Sequence, residues 1–206
     1  MTAQNFVSLC DQLCAKDKEL KSIVDRFGHP PMWTRPANFE SLIHIILEQQ
    51  VSLASALAAL NKLKEKIGII TPQSLLALSD EELRACYFSR QKTLYARHLA
   101  SSILSQDLII DALENMPDDQ VRIQLKKIKG IGDWTADVFL MFALQRADIF
   151  PIGDLALVNA MRKVKNLQPA ASKEQLLQIA ESWRPHRSVA SMILWHFYLS
   201  ERKKSV

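Results

Sequence analysis

The sequence contains few glycines and few cysteines. The small number of cysteines restricts the kinds of site that the chain can build. Only five of its 206 residues are glycine, and its three cysteines are Cys10, Cys14 and Cys86. An odd, scattered set of cysteines fits a reduced cytosol and cannot supply a four-cysteine cluster or a zinc site. The five histidines are equally dispersed.

Long apolar runs, alternating patterns and internal repeats are also missing. No stretch approaches the ~18 consecutive apolar residues that cross a bilayer, so we expect no membrane segment. The N-terminal residues MTAQNFVSLCDQ lack a basic region followed by an apolar core, and we therefore expect a protein that is not secreted. Because no run alternates convincingly with a period of two, we expect no β-sheet.

Helical periodicity fills most of the chain instead. One apolar face follows the spacing i, i+3, i+4, i+7, i+8 and consists of Phe39, Leu42, Ile43, Ile46 and Leu47. Helix starts are indicated by Thr71 before Pro72 and by the capping-box pairs Ser79/Glu82 and Ser172/Gln175. The sequence predicts an all-α fold of about ten helices with short connections, and residues 28–36 are the clearest linker.

Composition and charge are those of a globular protein with a modest basic excess. Apolar residues make up 48% and charged residues 23% of the chain, both near the usual values. The length allows one large domain or two small lobes with a proper core. A net charge of +4 is compatible with a polyanionic partner without establishing one.

Two of the five glycines lie one residue apart in KGIGDWTAD, residues 129–137. The surrounding pattern predicts a helix ending near Lys127, a tight turn at Gly130–Gly132 and a helix beginning near Asp133. Glycines in such a turn permit positive φ and expose backbone amides, which form an anion-binding nest with the start of the next helix. Four basic residues surround the turn: Arg122, Lys126, Lys127 and Lys129. The alternative is an ordinary turn whose glycines only close the chain.

The segment KGIGDWTA resembles the hairpin of the helix-hairpin-helix (HhH-GPD) DNA glycosylase superfamily, most closely its DNA-3-methyladenine glycosylase II (alkyladenine) branch. Four further blocks resemble that branch in the same order: IILEQQVSLASA (45–56), YFSRQKTLYARHLA (87–100), FPIGDLAL (150–157) and WRPHRSVASMILWHFY (183–198). The resemblance covers about residues 36–200 and implies one two-lobed, all-α glycosylase domain over residues 1–206.

The same resemblance implies where the lobes lie. A middle helical lobe is expected at about 36–115, and a second lobe from 1–35 plus 116–206. The hairpin, at about 125–146, would lie at the mouth of the cleft between them.

Asp154 follows the hairpin and precedes a clean helical run, where aspartate is a favoured N-cap. The resemblance implies that Asp154 is also the catalytic carboxylate, and the two roles are compatible. Breaking an N-glycosidic bond develops positive charge on the sugar. A fixed anion at a helix N-terminus would stabilise that charge and orient the attacking water.

Trp134 lies two residues after the second hairpin glycine, where strand-cutting relatives carry a lysine that forms a Schiff base. An indole cannot form an imine, so we expect no lyase activity. The chain also lacks the C-terminal cysteine set that holds an iron–sulfur cluster in some relatives. We expect no required cofactor.

Aromatic side chains indicate the substrate. Trp134 and Trp195 match aromatic positions of the family's base pocket, although core packing is an alternative for Trp195. N-alkylated purines are cationic, and a flipped cationic base is attracted to an aromatic face. Val138 stands where relatives carry another aromatic residue, which leaves the shape of the pocket open.

Further DNA contacts follow from the matched positions. Gln50 matches the wedge that fills the gap left by the flipped base, and Ser52 lies beside it, where it is equally a plausible N-cap. Residues expected to contact phosphates are Gly130, Gly132, Thr135, Lys129, Lys127, Ser89, Arg90 and Lys92. The backbone carbonyls of Lys126, Ile128 and Ile131 match a site for a structural Na⁺ or K⁺.

The resemblance therefore implies a monofunctional, monomeric glycosylase that removes 3-methyladenine-type and 7-methylguanine-type bases from double-stranded DNA and leaves an abasic site. It would act in the cytoplasm or nucleoid of a bacterium or in the nucleus of a eukaryote. Two alternatives stay open. One is a glycosylase for deaminated or mismatched bases, and the other is a helix-hairpin-helix module that binds DNA without catalysis.

Overall fold

A computed structural model describes residues 1–204, and the regular secondary structure in this part of the chain is all helical, as the periodicity predicts. It contains twelve α-helices: α1 (Ala3–Lys16), α2 (Lys18–Phe27), α3 (Phe39–Glu48), α4 (Leu53–Ile67), α5 (Pro72–Leu76), α6 (Asp80–Ala85), α7 (Arg90–Leu104), α8 (Asp118–Lys126), α9 (Asp133–Phe142), α10 (Leu155–Val164), α11 (Lys173–Glu181) and α12 (Arg187–Lys204). A 3₁₀-helix, Ile110–Asn115, precedes α8. None of these helices is long and apolar enough to span a bilayer.

The helix starts identified in the sequence are confirmed. Ser79 and Glu82 form a capping box at α6, and Ser172 and Gln175 form another at α11. Thr71 caps α5, whose first residue is a proline. These side chains satisfy backbone amides that have no partner inside their own helices, and so they set where each helix begins.

The chain divides into two compact units, a terminal unit of residues 1–34 and 145–206 and a middle unit of residues 35–144. The first boundary falls inside the 28–36 segment, which has no regular secondary structure. The second boundary differs from the expected one, because residues 116–144 group with the middle unit. The reason is that α9 packs against α3, and the Arg35 N–H donates to the Phe142 carbonyl at 2.8 Å.

Helix α3 forms the centre of the middle unit. Its apolar face is fully buried, and the helix contacts α4, α7 and α9. The buried Glu48 at its end accepts hydrogen bonds from both terminal nitrogens of Arg35, so this carboxylate enters the interior together with its counter-charge.

The terminal unit is built on α12, which contacts α1, α2 and α10. Asp17, the N-cap of α2, is buried and accepts hydrogen bonds from Lys165 Nζ at 2.6 Å and Trp183 Nε1 at 2.7 Å. Burial acts to raise the pKa of Asp17. The hydrogen bonds from Lys165, Trp183 and the Leu20 amide outweigh burial and hold that pKa below its ordinary value. One carboxylate thus joins segments far apart in sequence.

We predict that Asp17→Asn lowers the free energy of unfolding by about 2–3 kcal/mol at pH 7, because it leaves the Lys165 ammonium without its buried partner. A carboxylate whose pKa is lowered by folding stabilises the protein above its unfolded pKa and loses that contribution as the pH falls through the folded pKa. Urea unfolding should therefore show a constant difference between wild type and variant above about pH 5 that shrinks below about pH 4.

Asp25→Asn is the matched control, since Asp25 pairs with Lys21 on the surface and its replacement should change stability by less than about 0.5 kcal/mol. A difference between wild type and the Asp17→Asn variant that stays the same as the pH falls from neutral into the acid range would contradict the assigned role.

Candidate functional site

The turn between α8 and α9 contains two glycines in different situations. Gly130 has φ +91°, and a Cβ atom there would lie 2.1 Å from the Tyr95 ring. Gly132 has φ −102°, which any residue adopts, and a Cβ atom there would meet nothing within 4 Å. The fold therefore requires glycine at 130 and does not require it at 132.

Backbone N–H groups that have an acceptor alternate along this turn with N–H groups that have none. The Lys129 N–H donates to His98 Nδ1 at 3.1 Å, and the Ile131 N–H donates to the Ile128 carbonyl at 3.0 Å. Within residues 1–204, the N–H groups of Gly130 and Gly132 have no acceptor.

Helix α9 begins at Asp133, as the sequence pattern predicts, and has no side-chain cap because its N-cap is Gly132. Its N-terminal positive potential is thus unopposed by a capping oxygen. Two amides without an acceptor beside an uncapped helix N-terminus are compatible with binding an anion. Asp133 is the first helical residue, and its carboxylate accepts from Lys126 Nζ.

Most basic side chains around the turn are engaged within the protein. Lys126 pairs with Asp133, Lys127 donates to Gln124 at 2.9 Å, and Arg122 donates to the buried Asp137 at 2.8 Å. Lys129 is exposed, and its ammonium has no acceptor in the described part of the chain. Of the expected phosphate contacts on the hairpin, Lys129 is therefore better placed than Lys127.

The loop between α3 and α4 carries the residue expected to act as a wedge. Gln50 is exposed and has φ +58°, a left-handed conformation that is uncommon for a residue other than glycine. Ser52 is the N-cap of α4 and accepts from the Ser55 amide at 3.1 Å, so the capping role is the one seen for Ser52.

The three residues expected to contact phosphate at the start of α7 behave differently. Ser89 is the N-cap of α7, and Arg90 is exposed with no acceptor in residues 1–204. Lys92 is partly buried, which lowers its pKa, and its Nζ donates to the Leu47 carbonyl at 2.6 Å. The Lys92 side chain therefore supports the end of α3, and its expected phosphate contact stays a prediction.

Gln49 is a residue that sequence reasoning missed. Its Nε2 donates to the Gly130 carbonyl and to Thr135 Oγ1, both at 2.9 Å. Thr135 is 2% exposed, so its hydroxyl supports the turn from inside, and the phosphate contact expected at Thr135 stays a prediction. The only sequence feature that marks Gln49 is the pair of glutamines in EQQVS, of which the second, Gln50, matches the wedge position.

Asp154 is the N-cap of α10, and its Oδ1 atom accepts two hydrogen bonds. The Leu157 amide donates at 2.8 Å and Trp195 Nε1 donates at 3.0 Å. Two donors on one oxygen, at a helix N-terminus, fix the orientation of the carboxylate and stabilise its negative charge. Trp195 is 9% exposed, so it both packs in the terminal unit and holds Asp154.

Trp134 lies in the first turn of α9 and is half-buried. Val138, one turn later, is 2% exposed and belongs to the core of the middle unit. Asp154 and Trp195 are thus brought together in the terminal unit, whereas Trp134, Gln50 and the hairpin turn all belong to the middle unit.

Residues 1–204 contain no group of three or more His, Cys, Asp or Glu side chains placed to hold a metal ion. A monovalent cation at the hairpin would be bound by backbone oxygens instead. The Ile128 carbonyl accepts the Ile131 N–H and keeps a second lone pair, so it is compatible with a cation that prefers oxygen ligands.

Comparison with known proteins identifies relatives of this arrangement. The model of the HhH-GPD superfamily of base excision DNA repair proteins matches residues 43–185. The crystal structure of DNA-3-methyladenine glycosidase from Bacillus halodurans is similar, with 31% identity, a TM-score of 0.77 and coverage of 93% of this chain and 89% of that chain. The Schizosaccharomyces pombe 3-methyladenine DNA glycosylase, in complex with abasic DNA, has 28% identity and a TM-score of 0.83 over 91% of this chain and 95% of that chain.

The chain also matches a longer bacterial protein. It is 28% identical over 184 residues to a Bacillus subtilis relative whose name places it among the DNA-3-methyladenine glycosylases. The match covers 85% of this chain but 64% of that relative.

We predict different effects of alanine at the two hairpin glycines. Gly130→Ala should lower the free energy of unfolding by more than about 1 kcal/mol, because the residue has positive φ and its Cβ would clash with Tyr95. Gly132→Ala should change it by less than about 0.5 kcal/mol. Urea unfolding of both variants measures this, and equal losses of stability would contradict the distinction.

Proposed function

Because the chain belongs to the HhH-GPD superfamily of base excision DNA repair proteins, we propose that it is a monofunctional DNA glycosylase acting on alkylated purines. It flips 3-methyladenine-type and 7-methylguanine-type bases out of duplex DNA, hydrolyses the N-glycosidic bond and leaves an abasic site. The observation that carries this proposal is the Asp154 carboxylate, held by the Leu157 amide and the Trp195 indole at the N-terminus of α10.

Asp154 supplies the electrostatic part of the chemistry. As the bond between C1′ and the base breaks, the sugar acquires positive charge, and a fixed carboxylate stabilises it. The same group orients the water that attacks C1′. Since Asp154 is oriented before DNA binds, little reorganisation is needed when the charge develops.

Recognition of the base uses aromatic surface. A flipped base is held between flat or apolar side chains, and a cationic alkylpurine is attracted to an electron-rich ring. Trp134 offers such a ring on α9, and its half-buried position supports this role. Gln50 fills the gap in the duplex, and its exposed, left-handed position at a loop tip is suited to insertion.

The hairpin turn grips the DNA backbone. Outward amides at Gly130 and Gly132 bind a phosphate, and Lys129 and Arg90 add positive charge. The Lys126, Ile128 and Ile131 carbonyls would hold a Na⁺ or K⁺, whose positive charge would attract the DNA backbone. The protein acts as a monomer on chromosomal DNA, in a bacterial cytoplasm or nucleoid or in a nucleus, and requires no other cofactor.

Two other functions make different demands on the same residues. A module that only binds DNA needs the hairpin but not Asp154. A glycosylase for deaminated or mismatched bases needs Asp154 but has no use for attraction between an aromatic ring and a cationic base.

We predict that Asp154→Asn lowers the single-turnover rate of 7-methylguanine release by about 100-fold or more, because the anion that stabilises the sugar cation is gone. Asparagine is an equally good N-cap, and its oxygen can accept from Leu157 and Trp195, so folding and binding to abasic duplex should be kept. Asp111→Asn, at an exposed site, is the matched control. An Asp154→Asn variant with full excision would refute the mechanism.

The substrate class is tested by a release assay on duplexes containing 3-methyladenine, 7-methylguanine, hypoxanthine, ethenoadenine or uracil. Release of the two methylated purines is expected. Release of uracil or hypoxanthine without either methylated purine would identify a deaminated-base glycosylase. DNA binding with no release of any base would identify a binding module.

The product should be an intact abasic strand, because Trp134 cannot form a Schiff base with the sugar. Incubation with methylated duplex should therefore give strand breaks only after alkali treatment, and borohydride should trap no covalent complex. Nicking without alkali, together with a trapped adduct, would contradict the assignment of Trp134.

A further inference from the structure

The Gln49 carboxamide links two parts of the proposed DNA interface that are far apart in sequence. Its Nε2 carries two hydrogens, and each has an acceptor at 2.9 Å, the Gly130 carbonyl and Thr135 Oγ1. Gly130 lies at the entry to the hairpin turn, and Thr135 lies just beyond it in the first turn of α9. One amide group therefore holds both sides of the turn.

This clamp determines how the turn presents its amides. The peptide between Gly130 and Ile131 is bonded at both ends, its carbonyl to Gln49 and its N–H to the Ile128 carbonyl. A carbonyl held by Gln49 is kept from turning toward a bound phosphate, where it would repel the anion. The unbonded amides of Gly130 and Gly132 flank this fixed peptide.

Gln49 is also directly followed by the proposed wedge. Gln50 sits in the left-handed region, so the direction of its side chain depends on the placement of the preceding peptide. The Lys92 ammonium anchors the Leu47 carbonyl at one side of this loop, and Ser52 begins α4 at the other. With Gln49 bonded to the hairpin, the loop is held at three points around Gln50.

We propose that Gln49 is a positioning residue that holds the wedge Gln50 and the phosphate-binding turn in one fixed geometry. The turn then binds the DNA backbone at the same time as Gln50 fills the gap left by the flipped base. This inference rests on the proposed glycosylase function. A wedge misplaced by about 1 Å fills the gap poorly, and the flipped base returns to the stack more often.

The test is a double-mutant cycle on single-turnover release of 7-methylguanine from duplex DNA, using Gln49→Ala, Gln50→Ala and the double variant. Each lost hydrogen bond weakens positioning modestly, so Gln49→Ala should slow release about tenfold. With the enzyme in saturating excess, weaker phosphate binding at the turn does not limit the rate and Gln49 acts on it through Gln50. Adding Gln49→Ala to Gln50→Ala should then slow release less than about twofold further. If the rate losses of the two single variants multiplied in the double variant, the proposal would be overturned. Loss of a residue that only supports the fold slows release by the same factor with or without the Gln50 side chain.

Further variants separate positioning from folding. Thr135→Val removes one of the two acceptors and should slow release about threefold, whereas Thr135→Ser keeps the hydroxyl and should restore the rate. Gln73→Ala, at an exposed glutamine of the same unit, should leave the rate unchanged. A slow Gln49→Ala variant whose rate loss matched a loss of folded protein in thermal melts would refute positioning.

Failure of this inference is distinguishable from failure of the proposed function. If the wild type released no methylated purine, the proposed function would be wrong. The affinities of the wild type, the two single variants and the double variant for a duplex carrying an abasic-site analogue would then be measured. Coupling between Gln49 and Gln50 in that affinity would support the clamp, and independent effects would overturn it.

Discussion

The proposed interface depends on the alternation of backbone amides in the hairpin turn. If every N–H group of the turn were bonded inside the protein, no anion could bind there, and if none were bonded, the turn would have no fixed shape. The N–H groups of Lys129 and Ile131 are satisfied internally, and those of Gly130 and Gly132 have no acceptor within residues 1–204. A turn of this kind is rigid and has unused donors, which is the condition for binding a phosphate without reorganisation.

Several other contacts in the middle unit hold that turn in place. The ring of Tyr95 lies where a side chain at Gly130 would be, and Gln49 bonds both ends of the turn. Gln49 in turn is placed by α3, whose apolar face is buried against three other helices. The long apolar face of α3 therefore has a consequence beyond stability, because it sets the position of a polar carboxamide just past its end.

The sequence was sufficient to predict the helices, their caps and the hairpin, since these depend on local spacing and on residues that satisfy nearby amides. It could not predict the partners of Lys92, Thr135 or Gln49, because each is bonded to a group brought near by tertiary packing. The second unit boundary was missed for the same reason, since the packing of α9 on α3 has no signature in either helix alone. Family resemblance supplied the roles of Asp154 and Gln50, which spacing does not reveal.

Asp154 and Gly132 illustrate two ways in which a functional residue relates to its fold. Asp154 is fully accounted for as an N-cap, and its hydrogen bond from Trp195 is equally compatible with a structural role. The cap and the proposed catalytic role share one geometry, because both require the same oriented carboxylate. Gly132 is the opposite case, since neither its φ nor its surroundings require glycine. A glycine that the free protein does not need is consistent with a ligand that approaches the backbone closely, and the unbonded amide at that position fits the phosphate of the proposed function.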